Sequence, residues 1–396
     1  MSTLKLSFVL IAFALSLGFS RSTKSEISKF FSFWVKPKVE KTIDEPSDEN
    51  YKSNKIQVAL LLDTSGSMEG LIEQAKSQLW EILNNLSLLT KDGDDPTVEI
   101  ALYEYGNPSK TNNVNQINQL VSFTDDVDLV SQKLFGLTTS GGEEYCGSVI
   151  NSSLRDLEWD SGTDNLKLIY IAGNESFEQG PINYREVCDA AVQSDISINT
   201  IFCGPHNSGI SLNWDDAAEV GNGSFISINQ NDKTIHISTP YDNEITALNS
   251  KLNSTYIPMG NEGKEKIANQ RKQDLNAGFY GESNMAKRTI YKSSKKYKAE
   301  SWDLVDAYKK DKKVLYDRTA MPDSVAVLSQ EELERRIEQI AASRELIKKT
   351  ILDLGKKRAD FLKEQKKATI KNGLEESIMK SIKKQATDKN YKIKNN

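Results

Sequence analysis

Residues 63–67 read Asp-Thr-Ser-Gly-Ser, placing one carboxylate and two serine hydroxyls within five positions. Hard divalent cations take oxygen ligands, and magnesium keeps several waters while accepting only a few protein oxygens. The spacing Asp63-x-Ser65-x-Ser67 meets that demand on one tight turn, with Asp63 as the charge and Ser65 and Ser67 as neutral lone-pair donors. A plainer use of the same turn is to cap a helix, since Ser65 or Ser67 can accept from orphan first-turn amides. Only His206 and His236 occur, too few for a histidine-based zinc site. Near the three cysteines, His206 is the one candidate base, so a cysteine nucleophile is not expected. No glycine fingerprint for a phosphate loop or a dinucleotide is present.

The elements that must position this turn alternate between strand and helix. The apolar run 56–62 ends on Asp63, and further strands are expected at 97–105, 117–123, 166–172, 197–203 and 224–228. Helices are expected at 67–90, 125–135, 145–157, 181–194, 213–220 and 242–254. Such alternation predicts an α/β fold, a doubly wound and mostly parallel sheet with helices on both faces. In open α/β sheets ligands sit beyond the C-terminal ends of the strands, where the Asp63 turn falls.

The motif Asp63-Thr64-Ser65-Gly66-Ser67-Met68, between a buried strand and a helix, resembles the metal-ion-dependent adhesion site of von Willebrand factor A (vWA) domains. The resemblance covers residues 55–254, about half of the chain, and implies bound Mg²⁺ or Mn²⁺. It also implies further ligands from two other loops. In the loop at 138–147 either Thr139 or the pair Glu143 and Glu144 is implied, with Glu144 the better alignment. Both glutamates equally suit the positive end of the following helix. The third loop departs from the family pattern: Gly173 stands where an aspartate is usual, leaving Asn174 or Glu175 to reach a cation, or water to fill the place. Segments 171–175, 179–181, 199–204 and 301–306 resemble secreted bacterial vWA-containing proteins of unestablished function, a likeness that brings no activity with it.

Composition bounds the rest. The 396 residues suggest two or three domains, and 27% charged residues fit a soluble globular protein. Lys5 followed by the apolar stretch 6–19 reads as a signal peptide over 1–20, followed by a linker over 21–54; an uncleaved anchor is the alternative. The mature chain is then expected outside the cytoplasm, in a bacterial periplasm or at a cell surface. An odd number of cysteines leaves two readings open: a Cys188–Cys203 bridge closing a loop of about 15 residues, or three buried thiols packing as small hydrophobes.

Charge is divided unevenly. Residues 261–396 hold 33 Lys plus Arg against 21 Asp plus Glu, a net of +12, so residues 1–260 carry −17 of the total −5. Residues 255–328 read as a partly extended connector and 329–396 as a basic helical tail. Within the tail, Leu333, Ile337, Ile340, Arg344, Ile347, Ile351, Leu354, Arg358 and Phe361 are spaced alternately by four and three, as in a coiled coil. That seam serves either a homo-oligomer or an intramolecular hairpin, with the segment 374–386 as partner.

The expected function is a non-enzymatic binding protein whose cation engages an Asp or Glu of a protein partner. The alternative is a scaffold with a degenerate metal site, whose basic tail binds an anionic envelope surface or self-associates. No nucleic-acid partner is expected, because basic residues alone are a weak signal for one.

Overall fold

The computed structural model describes residues 54–109, 116–229, 237–366 and 374–394. The expected signal peptide, and the linker up to residue 53, lie outside the described residues. Among the described residues no helix is long and apolar enough to cross a membrane.

Six strands form the main sheet: β1 (Lys55–Asp63), β3 (Thr97–Tyr105), β4 (Asn118–Thr124), β5 (Leu166–Gly173), β6 (Ser197–Cys203) and β7 (Phe225–Ile228). A short β2 (Leu89–Lys91) precedes β3 and stands apart. The sheet order is β4-β3-β1-β5-β6-β7. All neighbours are parallel except β3 and β4, so the fold is a mixed, mostly parallel sheet with an antiparallel edge. β1 lies at the centre, paired with β3 on one side and β5 on the other. Such a strand is buried on both faces, which is why residues 58–62 read as a continuous apolar run rather than an alternation.

The two faces carry different helices. Ala59, Leu61, Ile169 and Ile171 point into a core closed by α3 (Cys146–Asp156), α4 (Tyr184–Gln193) and α6 (Trp214–Val220), the last following a short α5 (His206–Ser211). Ile56, Val58, Leu62, Leu168 and Tyr170 point the other way, toward α1 (Glu69–Leu86) and α2 (Val127–Phe135). Asp126 caps α2 by accepting from the amides of Asp128 and Leu129. The expected strands and helices of this half are present within a few residues. The first helix, however, stops at Leu86, and Leu89–Lys91 becomes β2 instead of a last helical turn.

The second half differs more. After α7 (Asp242–Asn253), a helix expected at 242–254, the supposed connector is helical too: α8 (Gly260–Phe279), α9 (Glu282–Ser293) and α10 (Leu304–Lys310), followed by a 3₁₀ turn (Lys312–Tyr316) and α11 (Asp323–Ala326). Its helices were hidden because α8 and α9 turn polar side chains inward. Arg288 and Lys292 are both fully buried. Arg288 bonds Asp128 at 2.7 Å and Asp274 at 2.6 Å, and its guanidinium lies 4.4 Å over the Trp80 ring. Lys292 meets Asp274 at 3.0 Å and Asn249 at 2.9 Å. Asp128 belongs to α2, so an ionic cluster joins these helices to the sheet domain alongside the apolar contacts of Ile267, Ala286 and Tyr291.

α12 (Gln330–Lys366) carries the heptad seam, and that seam faces its own chain. Leu333 and Ile337 pack with Leu304, Val305 and Tyr308, while Ile351 and Leu354 join the core beneath α1. The two seam arginines are ion-paired in the interior: Arg344 with Asp303 and Asp306, Arg358 with Asp242. The expected pairing of the tail with 374–386 is corrected. α13 (Leu374–Asp388) instead docks on the sheet, where Ser381 donates to Asn199 Oδ1 at 2.6 Å and Tyr170 donates to Ser381 at 3.2 Å. β8 (Tyr391–Ile393) then pairs antiparallel with β2. One apolar cluster includes residues from Ile56 to Tyr391.

Candidate functional site

The candidate site lies at the C-terminal end of β1, built from three loops. Thr64 donates its amide to Tyr105 O at 2.9 Å, locking the first turn to the end of β3. Ser140 donates its amide to Thr64 O at 3.0 Å, bringing the second loop alongside. On the far side Asn174 Nδ2 donates to Ser67 Oγ at 3.1 Å, which ties in the loop after β5. Within the turn, Ser65 N donates to Asp63 Oδ1 at 2.7 Å, and the Ser65 and Ser67 hydroxyls are 3.3 Å apart. No helix-cap bond from either serine is made at the start of α1, so the plainer reading of the turn does not hold.

Asp63 is the unusual member. It is fully buried, and its Oδ2 has no hydrogen-bond partner. Two glycines make room for it. A Cβ on Gly106, whose φ is +74°, would come within 2.9 Å of Asp63 Oδ1; a Cβ on Gly173 would come within 3.2 Å of Oδ2. Burial pushes the Asp63 carboxyl up to about 8; the Ser65 amide opposes this, and the Glu144 and Glu175 carboxylates add to it. A buried, partnerless carboxylate beside two hydroxyls is costly unless something cationic or a proton compensates.

The structure separates the other candidates. Glu144 is buried beside Ser65, and its carboxyl is raised by burial and by Glu175, with the Ser65 hydroxyl opposing. Glu143 is exposed and accepts from the Tyr145 hydroxyl, outside the cleft. Thr139 is half-buried in the loop tethered by Ser140. Asn174 reaches Ser67, while Glu175 sits at the exposed rim. The departure at Gly173 has a physical partner: a Cβ there would lie 2.7 Å from the Tyr105 hydroxyl, which donates to Ala172 O at 2.9 Å. Tyr105 fills the space that an aspartate at 173 would need. This role of Tyr105 escaped the sequence reading, because a tyrosine ending a strand looks like ordinary core.

The residues present fit a hard cation in the kind of donor they offer. Asp63 and Glu144 supply charge, and Ser65, Ser67 and Asn174 supply neutral oxygens. Among the described residues no group of three or more His, Cys, Asp and Glu side chains is arranged to hold a metal ion. Any cation here would thus depend on hydroxyl and water ligands.

The cysteines are three buried free thiols. Cys203 packs on the α1 face of the sheet and Cys188 on the α4 face, so a bridge between them would have to cross the sheet. Cys146 lies under the cleft, 3.7 Å from the Tyr105 hydroxyl. Burial pushes the Cys188 thiol up to about 12 and raises Cys146 and Cys203 as well.

Strand order, antiparallel edge and the acid-and-serine turn at the end of the central strand agree with the mostly parallel α/β fold that the vWA resemblance implied. Among solved structures the chain is similar to the conserved hypothetical protein BatB from Bacteroides thetaiotaomicron, at 14% identity and a TM-score of 0.34, over 44% of this chain and 90% of that one. It is similar to the SpRpn10 vWA domain at 16% identity and 0.34, over 44% and 88%. A von Willebrand factor type A structure from Catenulispora acidiphila aligns at 14% identity and 0.31, over 44% and 39%. No protein-family model and no curated protein matches the chain.

Proposed function

We propose that this protein is a binding module, not an enzyme, whose vWA-like cleft holds Mg²⁺ or Mn²⁺ and uses it to engage a carboxylate of a protein partner. The single observation that carries this reading is Asp63 Oδ2, buried and unpartnered at the floor of a cleft rimmed by hydroxyls. Asp63, Ser65 and Ser67 are the proposed ligands, with Glu144, Asn174 and Thr139 around them. A cation held by so few protein charges keeps exchangeable waters, and a partner's Asp or Glu can replace one. The buried thiols, all pushed upward by burial, make poor nucleophiles, in keeping with a non-catalytic role. The apolar stretch 6–19 supports export as the setting.

Self-association through the tail seam is disfavoured, because that seam is already buried on the same chain. Calorimetry with MgCl₂ and MnCl₂ on the full chain and on Asp63→Ala tests the cation. Saturable binding in the parent and none in the variant is expected. Heat-silent titration of the parent, with no accompanying thermal stabilisation, would overturn the cation and with it the proposed mode of partner binding.

A further inference from the structure

A groove of about 780 Å³ opens at the opposite edge of the sheet from the Asp63 cleft. It is lined by the last turns of α1, by Asp95 just before β3, by the end of α9 and by one face of α12. Its charges are unbalanced. Of its four acidic residues, Glu81 is paired with Lys287 at 2.8 Å, Asp95 with Lys394, and Glu345 with Lys309 outside the groove. Lys295, Lys348, Lys349 and Lys356 form no ion pair among the described residues, although Asp95 acts on Lys295 and Glu345 on Lys348 at longer range. Lys296 lines the same wall and spends a proton on Pro96 O.

Two of the lysines, Lys296 and Lys348, are held against their preference. Burial pushes Lys296 down to about 8, with Lys394 and Lys298 adding to the effect and Asp95 opposing it. Burial likewise lowers Lys348, with Arg344 and Lys309 adding and Asp306 and Glu345 opposing. A concave site with an excess of positive charge between low-dielectric walls concentrates anions. The floor is apolar, with Ile290 and Leu352 lining it and the Ile290 side chain against Gly355.

We infer that this groove binds a soluble, elongated polyanion of the oligophosphate type. Lysine binds phosphate as a point charge. Lys349 and Lys356 are seven residues apart on one helix, about 10 Å along its axis, so one phosphate cannot satisfy both and a chain of several can. A flat bilayer cannot enter a concavity of this volume, which separates the inference from surface adhesion by the basic tail.

Sodium tripolyphosphate titrated into the full chain by calorimetry at low salt tests it, beside Lys295→Gln/Lys349→Gln/Lys356→Gln and a control, Lys310→Gln/Lys313→Gln. These lysines are exposed, so both variants are expected to keep the parental melting temperature. One site per chain, weakened at least tenfold in the triple variant, unchanged in the control and weakened by added salt, is the expected result. No saturable binding overturns the inference. Equal weakening in both variants, which would mean diffuse charge, overturns it too. So does binding to vesicles of phosphatidylglycerol without binding to tripolyphosphate.

Discussion

Arg344 Nη1 lies 2.5 Å from Asp303 Oδ2, and both side chains are fully buried. The pair joins a residue of the α12 seam to the start of α10. Asp303 also accepts from the Ile257 amide at 2.6 Å, and the Arg344 guanidinium lies 4.3 Å over the Tyr256 ring. An arginine in a heptad seam usually signals weak or register-fixing packing between chains. Here it marks the point where the tail is pinned to its own body.

Removing one partner of such a pair leaves an uncompensated buried charge. Arg344→Met is expected to cost about 3–5 kcal/mol, read as a lower urea midpoint. Asp303→Asn should cost less, since Asp306 still meets Arg344 at 2.7 Å. The double variant should lose clearly less than the sum of the two. Strict additivity would mean the two residues do not act as a pair.

The Asp63 carboxyl gives the metal-free protein a distinctive pH dependence. Its value rises from 3.8 when unfolded to about 8 when folded, so between those limits the folded chain holds a proton that the unfolded chain gives up. The stabilisation is complete below 3.8 and is lost as pH climbs toward about 8, a change on the order of a few kcal/mol. The parent-minus-Asp63→Asn difference in unfolding free energy should fall steadily from pH 5 to pH 8 in chelator. Saturating Mg²⁺ should reverse that fall, because a cation compensates the ionised form. A flat difference across this range would contradict the buried, unpartnered carboxylate.

Gly173 tests the shape of the cleft floor. Its Cβ would fall 2.7 Å from the Tyr105 hydroxyl and 3.1 Å from the Trp214 ring. Gly173→Ala is expected to cost roughly 1–3 kcal/mol through overpacking. Tyr105→Phe in the same background should recover part of the loss by removing the hydroxyl. Thermal unfolding of the two variants decides: no recovery would place the clash elsewhere.

The thiols give a simple count. Without reductant, three free thiols per chain are expected in denaturant, and almost none should react under native conditions, because all three are buried. A count of one would restore a disulfide.

The strands of the sheet domain were readable because burial on both faces leaves unbroken Val, Ile, Leu and Tyr runs such as 168–171. The Asp63 turn was readable because its residue types are chemically specific. Less could be read where polar groups do the packing. Gln270, Asp274, Arg288 and Lys292 are buried, so the helices carrying them show no apolar stripe. Asn199 likewise looks out of place in β6 until Gln385 of α13 donates to it at 2.8 Å. Whether Glu143 or Glu144 faces the cleft was open in the sequence, since adjacent residues of a loop carry no periodicity; only Glu144 is buried there.

The small β2–β8 ladder also sets a schedule. Thr90 receives its partner from Lys392, 302 residues later. At a synthesis rate of about 5–20 residues per second, that interval lasts roughly 15–60 s. From the completion of β6 until α13 is made, the nascent head carries Tyr170 and Asn199 on a sheet face that α13 has yet to cover. Production of this protein should therefore be limited by how well the unfinished domain is shielded while the ribosome completes the strand that closes it.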